Sequence, residues 1–437
     1  MAETTKAVST PTPKGAWGIA FLLLFYMLVN FADKIVVGLA GVPIMTELKL
    51  SPDDFGQLGA SFFLLFSIAG VIGGFIANKV QTRWLLLVLA TSWALVQFPM
   101  IGTVSFSTLV ICRILLGIGE GPAAAIATHA LYKWFPDEKR TLPTALLAQG
   151  SAFGVILAIP SLNWVIVNYS WHWAFGALGI VGLLWVVAWL IFGKEGPLSA
   201  TLDADGRPEA HVSYWKLFTC STFVGAVLCT FGAYWALSLG LTWFTPFIVQ
   251  GLGFNQKDAG YISILPWIFG AAMVMLTGWI SQIMSTRGVR TRLCRGVFGA
   301  APLIAGGVIV TLLPLVDSAW ARIAMLVVGT GLSGSIYVVC GPMIGEISPV
   351  QQRGAMIATY GALYGLAGIV APLVTGKILN MFPGQLLEGY LFGYKILGIV
   401  LIVSGILGVL MLRPNADRAR LKGTPMPAGG PLPAPAE

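Results

Sequence analysis

Apolar runs long enough to cross a bilayer recur along the whole of this chain, and few folds can accommodate that pattern. A run of about 20 residues spans the hydrocarbon core as a helix. In hydrocarbon the backbone must satisfy its own hydrogen bonds, so each run reads as helical. The runs predict spans at about 16–41, 54–77, 84–101, 107–132, 140–164, 172–192, 217–249, 258–283, 293–315, 319–343, 353–379 and 389–412. Composition agrees: 57% of the 437 residues are hydrophobic and only 10% are charged, against about 25% charged in a soluble domain. A soluble chain of this length would have to bury nearly all of its apolar surface. The expected fold class is therefore an all-α membrane protein with twelve transmembrane helices.

An even number of spans puts both termini on one face. Loops on that face carry Lys79, Arg83, Lys133, Lys139, Arg140, Arg287, Arg290, Arg292, Arg295 and Arg353, whereas opposite loops carry Lys49, Lys257, Arg322 and Lys395. The positive-inside rule then predicts cytoplasmic termini. The net charge of +8 is an orientation signal of this kind, so the lipid bilayer is an expected partner and nucleic acid is not. The polar, Thr/Pro-rich start followed by a long apolar run reads as a short tail and a first span, without a signal peptide. Cys112, Cys220, Cys229, Cys294 and Cys340 show no CxxC spacing and read as packing residues. His129, His172 and His211 lack metal-ligand spacing and read as solvated residues at helix ends. No metal or other cofactor is expected, and no nucleophile–base pair points to an enzyme.

A polar, charged loop at 194–216 divides the chain. The expected organisation is a first bundle of six helices with its short tail at 1–193, this loop, a second bundle at 217–412, and a disordered Pro/Ala/Gly-rich tail at 413–437. A faint repeat supports two like halves. Gly74 precedes Arg83 by nine positions with Asn78 between them, and Gly278 precedes Arg287 by nine with Gln282 between them. Equivalent loops imply a parallel repeat about an axis along the membrane normal. A six-plus-six plan with a Gly-x-x-x-[Asp/Asn]-x-x-x-x-Arg loop after spans two and eight resembles the major facilitator superfamily over residues 15–412. The resemblance implies the major facilitator fold of two six-helix bundles. It also implies gating roles for Gly74, Asn78, Arg83, Gly278 and Arg287, with Asn78 at the position of the family's acid.

Most of the charged side chains lie in loops, tails or helix ends; Asp33 and Lys34 in span one and Arg113 and Glu120 in span four do not. A charge at the bilayer centre costs roughly 2.5–3.5 kcal/mol even on the lenient scale, so these groups face the protein interior and mark a pathway. Lys377 lies near enough to an end to snorkel. Arg113 and Glu120 are seven residues apart, which puts them on one helix face about 10 Å apart. Gly117 lies between them and Gly121 beyond, so another helix can come close. Asp33 and Lys34 point about 100° apart and should serve different partners. On these grounds Lys34 and Arg113 attract an anion while Asp33 and Glu120 exchange protons. Pairing that merely holds the two helices together is the weaker explanation, because buried ion pairs seldom stabilise on balance.

The stretches Asn30-Phe31-Ala32-Asp33-Lys34 and Arg113-Ile114-Leu115-Leu116-Gly117-Ile118-Gly119-Glu120-Gly121-Pro122 resemble the anion:cation symporter family. That family includes carriers of sugar acids and of aromatic acids. The resemblance implies that Arg113 binds or gates a substrate carboxylate, that Asp33 and Glu120 couple protons, and that Gln149 in span five contacts substrate. Lys34 stands where many members have Arg, and Phe31 stands where sugar-acid carriers often have Tyr. The second half offers no deep charge. It offers Tyr234, Ser333, Ser335, Tyr337, Tyr360 and Tyr364 for shape recognition, with Tyr360 and Tyr364 on one face. The expected function is import of an organic anion with protons as coupling ion, by a monomer in a bacterial inner membrane. An organic-anion or organophosphate exchanger is the alternative, and a transporter-like sensor a second one.

Overall fold

The computed structural model describes residues 12–422 apart from 78, 137–138, 199–211, 288, 290–291 and 350–351. Within these residues twelve helices are long and apolar enough to cross a membrane: Ala16–Leu39, Pro52–Ala77, Thr82–Ile101, Phe106–Tyr132, Leu142–Asn168, Trp171–Phe192, Ser221–Thr242, Gln256–Met284, Phe298–Leu315, Ala319–Ile347, Arg353–Asn380 and Leu386–Met411. They form two six-helix bundles, the major facilitator fold. Most expected ends hold within a few residues. The seventh span is the exception, because its helix stops at Thr242 and passes through Phe244–Pro246 into a π turn at Phe247–Gly251. Pro246 has no N–H to give to the preceding turn.

Enclosure sorts the spans. The best 18-residue windows of the first and seventh spans are 67% buried, and those of the fourth and tenth 56% and 50%. The eighth falls to 22% and the third to 33%. Spans one, four, seven and ten therefore hold the middle, and the third and eighth are among those that face lipid.

Two of the central spans are broken alike. In the fourth, fifteen helical residues, Phe106–Glu120, are followed by a two-residue break and a second helix from Ala123. In the tenth, the fifteen residues Ala319–Ser333 are followed by a two-residue break and a helix from Ile336. Pro122 accounts for the first break, since it cannot donate and its ring crowds the preceding turn.

The bundles meet tightly in the half of the membrane away from the termini. A Cβ at Gly38 would lie 2.1 Å from the Leu241 carbonyl oxygen, one at Gly56 2.6 Å from that of Pro372, and one at Gly376 2.6 Å from that of Pro52. Amides reinforce the seam: Gln256 donates to the Leu39 carbonyl at 2.8 Å and Asn163 to the Lys257 carbonyl at 3.0 Å. The far face is thus shut. On the terminus face a cavity of about 810 Å³ opens beside Gly345, Ser348, Arg353 and Arg418.

Three expectations need correction. The tail from 413 begins as a helix, Pro414–Lys422. It is docked because Asp417 accepts hydrogen bonds from the backbone N–H and the hydroxyl of Thr222, both at 2.6 Å, at the start of the seventh span. Residues 423–437 lie outside the described residues. Arg322 is not in a loop but inside the tenth span, only 8% exposed. His172 is tied rather than solvated, lying between the Glu47 carboxylate at 2.9 Å and the Met100 carbonyl at 2.6 Å. His211 lies outside the described residues.

Candidate substrate and coupling site

The four deep charges come together. Asn30 and Lys34 are four apart on the first span and so share a face. The Lys34 ammonium donates to the Asn30 side-chain oxygen at 2.5 Å and lies 2.7 Å from Glu120 Oε2. Asp33 points elsewhere, and Gln97 of the third span donates to its Oδ1 at 2.9 Å. Arg113 donates to the Asp33 backbone carbonyl at 3.1 Å. All four charged residues are at most 7% exposed.

The small residues of the fourth span act as their spacing predicts. A Cβ at Gly117 would lie 1.9 Å from the Phe62 carbonyl oxygen, and one at Gly121 2.1 Å from that of Phe66. The second span is therefore pressed against the Arg113–Glu120 face. Its rings reach the cations: Phe62 lies 4.7 Å from the Arg113 guanidinium carbon and Phe66 5.7 Å from the Lys34 nitrogen, with Phe31 of the first span 4.5 Å from that nitrogen. Cations over ring faces are held by the ring quadrupole. Several polar atoms in the cluster are buried without a hydrogen-bond partner, namely Asp33 Oδ2, Arg113 Nε, Asn30 Nδ2 and Glu120 Oε1. Such atoms are costly unless water or a ligand meets them. A narrow gap between Lys34, Gly59, Phe62, Arg113, Leu241 and Thr242 places the cations at the joint between the bundles.

Across that joint the tyrosines gather. Phe63 meets Tyr234 edge-on at 5.7 Å, Tyr234 lies 5.2 Å from Tyr364, and Tyr364 lies 4.9 Å from Tyr360 and 6.3 Å from Tyr337. The Tyr360 hydroxyl is bound to Thr230 at 2.5 Å. Ser335 Oγ and Tyr337 OH are buried and unpartnered, whereas the Ser333 hydroxyl is spent on the Thr330 carbonyl at 2.6 Å.

Other expected residues lie apart from this cluster. Gln149 is half-buried beside Gly150, whose position packs on Met27, about two turns along the first span from Lys34. Arg83 is turned along its own bundle, donating to the Leu190 carbonyl at 3.4 Å. Gly74 faces open space, while the close approach falls to Gly73, where a Cβ would lie 2.2 Å from Pro122. Gly278 lies against Val338, and Arg287 is exposed. Asn78 lies outside the described residues. Sequence reasoning gave no role to Asn30, Gln97, Phe62, Phe66 or Thr230. Gln97 had a signal, since a carboxamide in an apolar run needs a partner; Phe62 and Phe66 had none, being ordinary apolar residues until their neighbours are known.

Residues 22–337 match the family model described as Major Facilitator Superfamily. The chain belongs to that superfamily. Among its relatives, the hexuronate transporter of Bacillus subtilis is 26% identical, covering 89% of this chain and 95% of the relative. The D-galactonate transporter of Escherichia coli is 22% identical, covering 82% and 87%. These relatives are consistent with the anion:cation symporter family. Among solved structures, a bacterial homologue of the human lysosomal transporter Spinster, inward-facing and unoccupied, superposes with a TM-score of 0.75 at 16% identity, covering 96% of this chain and all of that one. The D-xylose–proton symporter follows with 0.72 at 16% identity, covering 92% and 99%. The family members are transporters, not enzymes, and this chain is a multi-pass membrane transporter.

Proposed function

We propose that this transporter imports an organic anion together with protons, by alternating access around the Asp33, Lys34, Arg113 and Glu120 cluster. The observation that carries the reading is the buried pairing of Lys34 with Glu120 at the joint between the bundles. In this state Glu120 occupies the place beside Lys34 that a substrate carboxylate would take. Two cations and two carboxylates leave the cluster formally neutral, so an arriving anion makes it negative by one. Taking up a proton on Glu120 or Asp33 restores the balance, and in a low-dielectric site that restoration is strongly favoured. An exchanger would want the two cations but not the two acids, so the acids favour symport. Hexuronate and galactonate carriers among the relatives support an anionic cargo.

Lys34, Arg113 and Asn30 then hold the carboxylate, and Tyr234, Ser335, Tyr337, Tyr360 and Tyr364 shape the opposite wall, with Phe31 beside Lys34. Gln149 and Ser333 contribute from the rim. The closed far face and the cavity on the terminus face describe a protein open toward its termini. The loops holding Gly74, Asn78 and Arg83, and Gly278 and Arg287, close that face in the opposite state. The basic loops support cytoplasmic termini, and the bacterial transporters among the relatives support a bacterial inner membrane. The functional unit is a monomer of two bundles, 1–193 and 217–412, joined by 194–216.

The decisive experiment compares wild type with Glu120→Gln and Asp33→Asn in liposomes. A fixed neutral group permits the loaded transition but cannot return the proton. Both variants are expected to retain exchange between substrate pools and to lose accumulation driven by a proton gradient. If both still concentrate substrate under a proton gradient alone, neither acid carries the proton.

A further inference from the structure

The two buried acids of the cluster are held in different ways. Glu120 has an ammonium beside it, with the Lys34 nitrogen 2.7 Å from its Oε2. The Asp33 carboxylate forms no ion pair among the described residues, since Lys34 pairs with Glu120 and Arg113 donates to the Asp33 backbone carbonyl at 3.1 Å. The group that does touch this carboxylate is neutral. Gln97 Nε2 donates to Oδ1 at 2.9 Å, and the second oxygen, Oδ2, is buried with no hydrogen-bond partner. The charges that face the Asp33 carboxylate without touching it are Lys34 on its own span and Glu120 and Arg113 on the fourth.

The backbone fixes this donor. Gln97 ends the helix Thr82–Gln97 of the third span and is only 2% exposed. A carboxamide at that depth needs a partner. The short 3-10 turn Phe98–Ile101 follows, and its Met100 carbonyl is bound to the His172 ring at 2.6 Å. The end of the third span is therefore tied down one turn beyond Gln97. The type of donor decides the chemistry. A cation in contact would hold Asp33 ionised, and a wholly apolar wall would hold it neutral. An amide N–H does neither. It bonds Oδ1 in both states, more strongly when the carboxylate is charged. The free Oδ2 is left to form the O–H bond when a proton arrives and to give that proton back to water when it leaves.

We propose that Gln97 is a positioning residue for proton exchange at Asp33, on the reading of Asp33 as a proton carrier given above: it holds Oδ1, so that Oδ2 is the atom that takes and releases the proton. Gln97 itself carries no proton and touches no substrate.

Infrared difference spectroscopy on the full-length protein in lipid, titrated from about pH 4 to about pH 10, tests this without any substrate. The carboxyl C=O band that is absent from Asp33→Asn belongs to Asp33. Gln97→Met keeps the length of the side chain and removes the N–H. Losing a donor to the charged form favours the protonated one, so the midpoint of the Asp33 band should rise by about one pH unit or more. Gln97→Leu, of different shape, should raise it likewise, and either variant suffices for the comparison once size exclusion shows that it is folded. A midpoint that is unchanged or lower in the folded variant would overturn the proposal and leave Asp33 as a proton carrier. Gln97 would then merely tie the third span to the first. If the wild-type Asp33 band does not titrate at all, the reading of Asp33 as a proton carrier and the role of Gln97 fall together.

Discussion

The fourth and tenth spans have the same build and opposite chemistry. Each runs fifteen residues from the far face, breaks for two, and continues to the terminus face. Counted from the helix start, Arg113 of the fourth corresponds to Leu326 of the tenth, and Glu120 to Ser333. One backbone plan thus carries a buried cation and acid in one bundle and an apolar and a hydroxyl residue in the other. The break is common to both halves, whereas the cation–acid pair next to it belongs to one; the tenth span's buried cation, Arg322, sits near its start instead. The residues at both breaks keep α-region backbone angles, so each span bends without leaving the helix, and both breaks lie in well-enclosed spans. With its own buried cation away at the start of the tenth span, the second bundle presents tyrosines rather than charges at the joint.

The sharpest way to break the comparison is to make the fourth span like the tenth. Arg113→Leu installs the residue that the tenth span already tolerates at the matching depth, so the fold should survive. Substrate affinity should fall at least about tenfold, because a charge-assisted contact is worth roughly 1.5–3 kcal/mol. Equilibrium binding on protein shown to be folded by size exclusion checks this. Undiminished binding would mean that the charge asymmetry is structural, and the site assignment would fail.

A smaller effect should come from the carboxylate caps, where the two bundles are alike. Glu195 accepts from the backbone N–H of Arg83 at 2.9 Å and from the Thr82 hydroxyl at 3.1 Å, and it also pairs with Lys133. It thereby caps the third span, as Asp417 caps the seventh. Burial works to raise the Glu195 pKa, but the bonds from Lys133, Arg83 and Thr82 outweigh it and hold the carboxyl below its usual range. A lowered folded-state pKa means that stability is present above the ordinary carboxylate value and is lost as pH falls through the lowered one. The bond from Lys133 lowers it most and the Arg83 backbone N–H comes next, so the pair and the cap share the effect. Glu195→Gln should cost about 1 kcal/mol near neutral pH. The gap in thermal stability between variant and wild type should close in acid, and a gap that is constant with pH would exclude the charged cap.

The smallest effect belongs to the shape-setting half. Tyr360→Phe removes a hydroxyl whose partner, Thr230, sits beside it in the same bundle. A single neutral hydrogen bond is worth about 0.5–1.5 kcal/mol net, so affinity should change by less than about tenfold, and proton-driven accumulation in liposomes should persist. Loss of accumulation in this variant would move part of the coupling into the second bundle and dissolve the division of labour.

The class of fold and the candidates for the site were legible in the sequence alone. A bilayer admits only helices of a certain length, so apolar runs count spans directly. It also penalises every charge, so the few inside a span stand out as candidate pathway residues before any coordinates exist. Helical spacing went further, putting Arg113, Gly117 and Glu120 on one face, and the close approach of the second span at Gly117 follows from it. The tertiary structure alone decided who meets whom. Lys34 takes Glu120 while Asp33 takes Gln97, a choice that rests on the rotation of the third and fourth spans about the first. Phe62 and Phe66 become walls for the cations only because Gly117 and Gly121 bring their helix in. The Gly74 and Gly278 loops matched as strings, yet Gly73 makes the contact, since a motif fixes spacing and not the facing of the helix before it. Glu195 and Asp417 were ordinary surface acids in the sequence. Distances of more than a hundred residues separate them from the helix starts they cap, and nothing local to either one encodes that meeting.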